Sequence, residues 1–465
     1  MIRLFGYYVP RTYALLGAVE AAVFFGAFLF GVLVRFGWTI PPHLTSAGLM
    51  STGALFAVSM SVSMISMGLY QRGAHEREAG FVVRLALAFL LGIVLLTLVF
   101  YTVPSVFMGR GVLGLSLIFS FVGVTLIREI FGRLAIDDSR KRRVLVLGAG
   151  VNARSIEELV ARDSSIGFSV VGYVPLPSAH DLVTPSKVIA QDRPLLDLAI
   201  TLEVDEVVVA ADDRRKKLPV ADLLDCKMSG FEVLDLLTFF EKELALVRID
   251  LLHPSWIFLS TTGFRMGVTG IYGKRLFDGI VGLAMLAVAA PIMLVVATAS
   301  LIESGGRDPV FYHQIRVGRG GKPFRLHKFR SMRTDAEADG VARWASQGDA
   351  RVTRLGAFLR KTRLDELPQL VNVVKGEMSL VGPRPERPEF VEKLTATIPY
   401  YAERHRVNPG VTGWAQLLYP YGYDEEGAKR KLEYDLYYVK HAGVVLDLMI
   451  LLQTVEIVLF GKGAR

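Results

Sequence analysis

Four long apolar stretches crowd the first 130 residues, at 13–34, 44–69, 85–101 and 112–127. Crossing the hydrocarbon core of a bilayer takes about 20 apolar residues of helix, and the backbone polar groups there must find partners within the segment itself. Helices are therefore the form these stretches can take, and the last two need their interfacial flanks to complete a span. The first carries Glu20 and lacks a basic leader followed by a small-residue cleavage site, so it reads as a retained span rather than a signal peptide. Residues 1–140 are predicted to form a four-helix transmembrane domain. Composition agrees, with 52% hydrophobic and only 21% charged residues.

Charge gives the orientation. The chain carries a net +8, and residues 1–143 hold 13 basic and 6 acidic residues, leaving 40 and 39 for the rest. Arg3, Arg11, Arg72, Arg77, Arg84, Arg128, Arg133, Arg140, Lys141, Arg142 and Arg143 fall on one side of the predicted spans, and only Arg35 and Arg110 on the other. Basic loops resist translocation, so both ends of this region are expected on the cytoplasmic face. The even balance downstream gives no indication of nucleic-acid binding. A single cysteine, Cys226, excludes an intrachain disulfide or a Cys-rich zinc site and reads as a buried thiol; the eight histidines show no close metal-ligand spacing.

Residues 141–250 change to a soluble α/β pattern, with strands at 144–147, about 169–174 and 206–210. Gly148, Gly150 and Ala153 fit G-x-G-x-x-A, the spacing that lets a helix N-terminus approach a pyrophosphate. The acid that would hold a ribose is missing after the second strand, where Pro175, Leu176 and Pro177 follow. A bound dinucleotide and a packing-only Rossmann-like turn both fit, and the missing acid favours the second. After a linker at 251–273, a fifth apolar stretch at 280–302 has Pro291 at its centre and basic flanks at both ends: Lys274, Arg275, Arg307 and Arg316. A helix that re-enters the membrane over 277–302 and breaks at Pro291 keeps both flanks on one face, the alternative being a Pro-kinked crossing helix. Segments 310–317 and 324–329 then alternate like a hairpin around Gly318, Arg319, Gly320 and Gly321, and Pro323 after Lys322 breaks any Walker pattern.

Residues 360–370 read RKTRLDELPQL, two adjacent acids among three basic residues before a proline. Thr362 to Asp365 could be a capping box, with Asp365 and Glu366 complementing a helix dipole and Pro368 in the first turn. Lys328, Arg330, Arg360, Arg384 and Arg387 recur beside glycine and proline, and such a cluster suits an anionic phosphate ligand, although each alone fits a solvated face.

KFRSM (328–332), RKTRLDELPQL, MSLVGPRPE (378–386), PGVTGWAQ (409–416) and KLEYDLYYVK (431–440) together resemble the bacterial sugar transferases called monotopic polyprenyl-phosphate phosphoglycosyltransferases. ARWA (342–345), YPYG (419–422) and the terminal GKGAR resemble the branch that initiates exopolysaccharide synthesis with exosortase-type surface systems. The resemblance implies an α+β membrane protein: four N-terminal transmembrane helices, a Rossmann-like α/β domain, and a C-terminal monotopic phosphoglycosyltransferase domain over 274–465 with a re-entrant helix. It implies residence in the bacterial inner membrane, with the catalytic domain on the cytoplasmic face of the lipid bilayer. The implied activity moves a hexose 1-phosphate, glucose or galactose by family-level guess, from a UDP-sugar to undecaprenyl phosphate. UMP leaves, a covalent aspartyl-phosphosugar forms, and downstream glycosyltransferases take the product.

By the same resemblance Asp365 is the nucleophile, Glu366 helps hold Mg²⁺, and Lys328, Arg360 and Arg384 surround phosphate or nucleotide; Arg330 joins them as a substrate-binding candidate from the basic cluster. Asp435 matches the acid of the family's YD pair, serving metal or substrate. The physical logic is that a carboxylate approaching a diphosphate is repelled unless cations neutralise the phosphoryl oxygens. One departure is Ala290 before Pro291, where the family often has Ser. Residues 444–460 are apolar but carry Asp447, Gln453 and Glu456, and so are expected to be interfacial or packed rather than a sixth span. The spans and extra domain offer surfaces for a homodimer. Rival readings are a membrane-bound nucleotide-sugar dehydratase or epimerase, whose Tyr-x-x-x-Lys is missing from the Rossmann-like segment, and a non-enzymatic nucleotide-binding sensor.

Overall fold

The computed structural model describes residues 2–4, 7–9, 11–37, 46–70, 78–104, 108–135, 141–162, 166–176, 182–213, 218–254, 268–336, 351–419 and 424–460. Arg72, Arg77, Arg140, Pro177, the central linker at 255–267, the ARWA segment, residues 420–422 and the terminal GKGAR lie outside the described residues, as do the side chains of Arg3, Arg11, Arg133 and Glu456. The chain divides into two compact units, one of Met1–Ile2, Val9–Ser61 and Tyr70–Leu244, the other of Arg3–Tyr8, Val62–Leu69 and Ala245–Arg465.

After two short strands, β1 (Ile2–Leu4) and β2 (Tyr7–Val9), come four apolar helices: α1 (Arg11–Phe36), α2 (Ser46–Ser66), α3 (Glu78–Thr102) and α4 (Arg110–Ala135). At 25 and 26 residues α3 and α4 outrun their apolar runs, and a rise of about 1.5 Å per residue makes each long enough to cross a bilayer. Leu90, Leu98, Ile118 and Leu126 point outward, while Thr52, Ser116 and Ser120 are buried. Large apolar residues such as Phe24, Phe56 and Leu96 are buried as well, so these helices are apolar on both their inner and outer faces, as lipid permits. Glu20, fully buried on α1, pairs with Arg128 of α4 (Nη2 to Oε2, 3.0 Å) and accepts from the Tyr70 hydroxyl. Arg128 is thus neutralised within the bundle rather than standing as a loop charge, which leaves the basic asymmetry otherwise intact.

The α/β domain is a parallel sheet in the order β4-β3-β5-β6, formed by β3 (Arg142–Leu147), β4 (Phe168–Val174), β5 (Glu206–Val209) and β6 (Glu232–Asp235). The helices α5 (Val151–Arg162), α6 (Leu195–Thr201), α7 (Val220–Met228) and α8 (Leu236–Leu244) connect and flank it. Leu145, Leu147, Val174, Leu195, Ala199, Val207 and Cys226 form its core, so Cys226 is the buried thiol expected. Gly148 has φ +127°, and a Cβ there would lie 2.5 Å from the Ala210 carbonyl oxygen, so only glycine lets β3 turn beside β5. The amides of Val151 and Asn152, which head α5, donate to the Asp212 carboxylate at 3.1 and 2.8 Å. The chain itself thus supplies an anion where a pyrophosphate would sit, in keeping with a packing-only glycine turn.

The second unit contains the motif-rich half. Its long helix α9 (Val268–Ser304) stays α-helical through Pro291, starts ahead of residue 277, and has no reversing loop. Proline leaves the Ala287 carbonyl without its helical donor at that point. β7 (Phe311–Val317) and β8 (Pro323–Phe329) pair antiparallel around Gly320 and Gly321 at positive φ, the expected hairpin. There follow α10 (Arg354–Lys361), α11 (Gln369–Lys375), β9 (Ser379–Val381), α12 (Pro388–Thr397), β10 (Gly410–Thr412), α13 (Trp414–Leu418), α14 (Glu425–His441) and α15 (Val444–Phe460). β9 and β10 pair in parallel. α15 packs, burying Leu446, Asp447, Ile450 and Gln453. Residues 245–252 belong to this unit: the Trp414 indole donates to the Ala245 carbonyl (2.9 Å) and the Ile249 amide to Glu433 (3.2 Å).

Candidate active site

Thr353 starts α10 by accepting from the Gly356 amide at 2.9 Å. Thr362 then closes the helix, its hydroxyl returning to the Phe358 carbonyl (2.8 Å), so the capping box expected over Thr362–Asp365 is absent. Arg363 adopts a left-handed conformation, φ +60°, and the chain turns into a short 3-10 segment, Leu364–Glu366. A non-glycine residue held there costs of order 1 kcal/mol, and the turn it makes leads into two consecutive carboxylates that both line one cavity. Pro368 then leads into α11.

That cavity has a volume of about 610 Å³. Its wall combines β7, where Tyr312, Gln314 and Arg316 alternate inward, β8 with Lys328 opposite Tyr312, the acidic turn, the loop after β9 with Arg384, and α14 with Lys431 and Asp435. Eleven Lys and Arg side chains line it against five Asp and Glu. Such an excess in a partly desolvated space suits a multiply charged anion.

The adjacent acids differ sharply. Glu366 Oε1 receives Lys328 Nζ at 3.0 Å and Arg384 Nη2 at 2.9 Å, with Arg363 at 3.8 Å. Burial works against its charge, yet Lys328, Arg384 and Arg363 together hold its carboxyl well below the usual carboxylate range. Asp365 is only 7% exposed, and burial pushes its carboxyl upward; Lys328 pulls the other way and Glu366 adds to the rise. Arg384 is held firmly protonated by Glu366. One acid is thus a fixed anion in a cationic clamp, and its neighbour is an anion poorly stabilised by the protein.

Of the other residues singled out in the sequence, Arg360 lines the cavity and its charge acts to lower the Asp365 carboxyl. Arg330 lies in the wall but is held by Asp308 (3.1 Å) and the Pro309 carbonyl (2.9 Å), making it a brace for the strand. Asp435 is buried against Arg404 at 2.7 Å, and burial raises its carboxyl although Arg404 opposes this. Arg404 escaped the sequence reading. It bonds the Tyr401 hydroxyl (2.7 Å) and the Arg384 carbonyl (3.0 Å), so Asp435, which lines the same cavity as the acidic pair, also supports Arg384 through Arg404. Its one sequence signal is its place in a basic run just before the PGVTG motif. Pro291 lies within α9, away from the cavity wall.

Among the described residues no group of three or more His, Cys, Asp or Glu could hold a metal by itself. Asp365 and Glu366 side by side still fit Mg²⁺, which takes one or two carboxylates together with substrate phosphate oxygens rather than a full protein cage. The strain of keeping Asp365 charged at its buried position is the structural feature a dication would relieve.

A family model described as bacterial sugar transferase matches residues 269–461. A UDP-N-acetylgalactosamine-undecaprenyl-phosphate N-acetylgalactosaminephosphotransferase of Aeromonas hydrophila is 40% identical over 245 residues, 52% of this chain and 56% of that protein. The chain therefore spans little more than half the length of that relative. A UDP-glucose:undecaprenyl-phosphate glucose-1-phosphate transferase of Klebsiella pneumoniae is 34% identical over 337 residues, 71% of this chain and 70% of that protein. One of the same description from Escherichia coli (strain K12) is 33% identical over 324 residues, covering 68% and 67%.

Proposed function

The chain belongs to the bacterial sugar transferase family, and on that premise we propose that it transfers a sugar 1-phosphate from a UDP-sugar to undecaprenyl phosphate and releases UMP. The observation that carries the chemistry is the contrast between Asp365 and Glu366 inside a cation-lined cavity. An Asp365 carboxylate oxygen attacks the phosphorus that bears the sugar. The bond from that phosphorus to the bridging oxygen breaks, and UMP departs with the electron pair. An oxygen of the lipid phosphate then attacks the same phosphorus, the acyl-phosphate bond breaks, and Asp365 is restored as the carboxylate.

Burial raises the energy of the Asp365 anion before reaction, and charge spreading onto the phosphoryl oxygens relieves it. Lys328 and Arg384, fixed by Glu366, are the cations placed to meet those oxygens, and Arg360 on the same cavity wall would meet a second phosphate. Mg²⁺, held by Glu366 with Asp365, would neutralise diphosphate charge when bound. The transferred hexose is proposed to be glucose or galactose.

The lipid acceptor requires the cavity to sit at a membrane surface. Among the described residues, five helices are long and apolar enough to cross a membrane, α9 among them. Both ends of α9 nevertheless bond to the same catalytic unit, Arg275 to α11 and Glu303 Oε1 to the Leu355 amide at 3.0 Å, while Val296 packs on Phe329 and Leu359. That supports a helix that bends at Pro291, where the Ala287 carbonyl has lost its helical donor, and so enters and leaves by one face without a reversing loop, the cytoplasmic face on the basic-residue asymmetry. Exopolysaccharide initiation in the inner membrane, with downstream glycosyltransferases using the product, completes the proposal.

The test is a single-turnover incubation of the full chain with UDP-sugar and Mg²⁺ but no polyprenyl phosphate. Up to one UMP per active site and a protein mass increased by one phosphosugar are expected. Asp365→Asn should abolish both, and Glu366→Gln should weaken turnover without necessarily removing the adduct. UMP released only when lipid is added, with no adduct on any acid, would overturn the covalent route.

A further inference from the structure

The first turns of α9 carry three charged residues, Lys274, Arg275 and Asp278, ahead of a long apolar stretch, and none of them is in the cavity wall. Lys274 and Asp278 are 6% and 2% exposed. Placing such groups in a buried position is costly unless each is bonded, so their partners show what they are for.

Arg275 reaches the last turn of α11, donating from Nη1 to the Val373 carbonyl at 2.7 Å and from Nη2 to the Val374 carbonyl at 2.6 Å. These carbonyls stand at the negative helix end, where the Gly376 amide also donates to Val373 at 3.0 Å, and a forked cation reaches both of them. α11 begins three residues after Glu366, and Asn372 within it bonds the β8 backbone at Arg325 (2.8 Å) and His327 (3.1 Å), one residue from Lys328.

Asp278 Oδ1 accepts from the Leu380 amide at 3.2 Å, and Lys274 Nζ donates to the Val381 carbonyl at 3.3 Å. Lys274 also pairs with Asp447, and the Tyr438 hydroxyl lies 2.8 Å from the same Val381 carbonyl and 2.7 Å from Asp447 Oδ1. Leu380 and Val381 are in β9, three to four residues before Arg384. One helix therefore grips both halves of the site from behind: the helix that follows the acids, and the strand that leads to the arginine clamping one of them.

We propose that Arg275 and Asp278 are positioning residues for phosphosugar transfer, setting the gap between the Asp365–Glu366 turn and Arg384. Because the same helix is the apolar one, seating in the bilayer and alignment of the reacting groups are properties of one rigid element. The activity arm of the test rests on the transfer reaction proposed above; the exchange arm does not.

The experiment compares the full chain in lipid nanodiscs with Asp278→Asn, Asp278→Ala and Arg275→Gln, scoring UMP release per adduct-forming site and backbone amide hydrogen exchange. Asp278→Asn keeps a carbonyl oxygen for the Leu380 amide and should stay close to the parent. Asp278→Ala and Arg275→Gln should lower kcat by ~10-fold to ~100-fold, the scale of an ångström misplacement, with KM for the UDP-sugar little changed because the cavity cations remain. Exchange should rise at 364–366 and 379–384 in those two variants alone, with the thermal midpoint near the parent value.

Unchanged kcat per site, equal losses in Asp278→Asn and Asp278→Ala, or exchange raised uniformly along the chain would overturn the proposal in favour of ordinary fold support. If the parent released no UMP from any UDP-sugar, the transfer reading would fail by itself. The exchange comparison would then still decide whether these residues hold the turn and the strand in place.

Discussion

Two neighbouring carboxyls in one turn are driven apart by a few ångströms of environment. Glu366 is paired with Lys328 and Arg384, whereas Asp365 is buried with less compensation, which is why it is the proposed nucleophile. Since attack requires the ionised form, and the Asp365 carboxyl is raised, kcat/KM for UMP release should fall with acid through a limb above the ordinary aspartate range of about 3.9. Lys328 is the largest influence lowering that value, so Lys328→Met should move the limb to still higher pH. A pH profile of the single-turnover burst measures this. A limb that stays put or moves down would remove Lys328 from the account, and Arg330→Met, acting on a braced strand, should leave the limb where it is.

At the scale of elements, periodicity and spacing were enough to place the four apolar helices, the β7–β8 hairpin and three strands of the parallel sheet, because each depends on local pattern. β6 (Glu232–Asp235) was hidden, being short, half-buried and set at the sheet edge, with too little alternation to stand out. In the site, the motifs marked Lys328, Arg360, Asp365, Glu366 and Arg384, which do converge on the cavity. What they could not mark was pairing over long separations: Asp435 with Arg404, Arg330 with Asp308, or Arg275 and Asp278 with backbone groups some hundred residues away. Thr362 is a related case, since a T-x-x-D spacing is blind to a left-handed Arg363 that ends one helix before another starts. Asp212 is the instructive one in the α/β domain, a carboxylate 60 residues from the amides of α5 that it satisfies. Asp212→Ala should lower stability of that domain by about 1 kcal/mol, as for loss of a helix cap, read as a fall in its thermal midpoint. UMP release per active site should stay at the parent level; a large loss with folding intact would mean that the glycine turn serves catalysis.

For the whole molecule the decisive question is on which side of the bilayer α9 ends. A helix of 37 residues extends roughly 55 Å at 1.5 Å per residue, far more than the ~30 Å hydrocarbon core, so length alone permits a complete crossing. The proposed return to one face rests on bonding, because Arg275 near its start and Glu303 near its end are both tied to backbone of one α/β unit that carries many charged side chains. A crossing helix would pull one of those contacts to the far face, and the unit would have to leave part of its own polar surface in the membrane. Tyr272 and Arg307, both exposed and just outside those contacts, are the reporter positions. With the buried Cys226 replaced by serine, Tyr272→Cys and Arg307→Cys should each react with an impermeant thiol reagent only from the cytoplasmic side, giving equal protection in sealed cells and equal labelling after the membrane is opened. Labelling of Arg307→Cys from outside, with Tyr272→Cys still protected, would show that the helix crosses, and it would place the acidic turn on the side where no UDP-sugar is made.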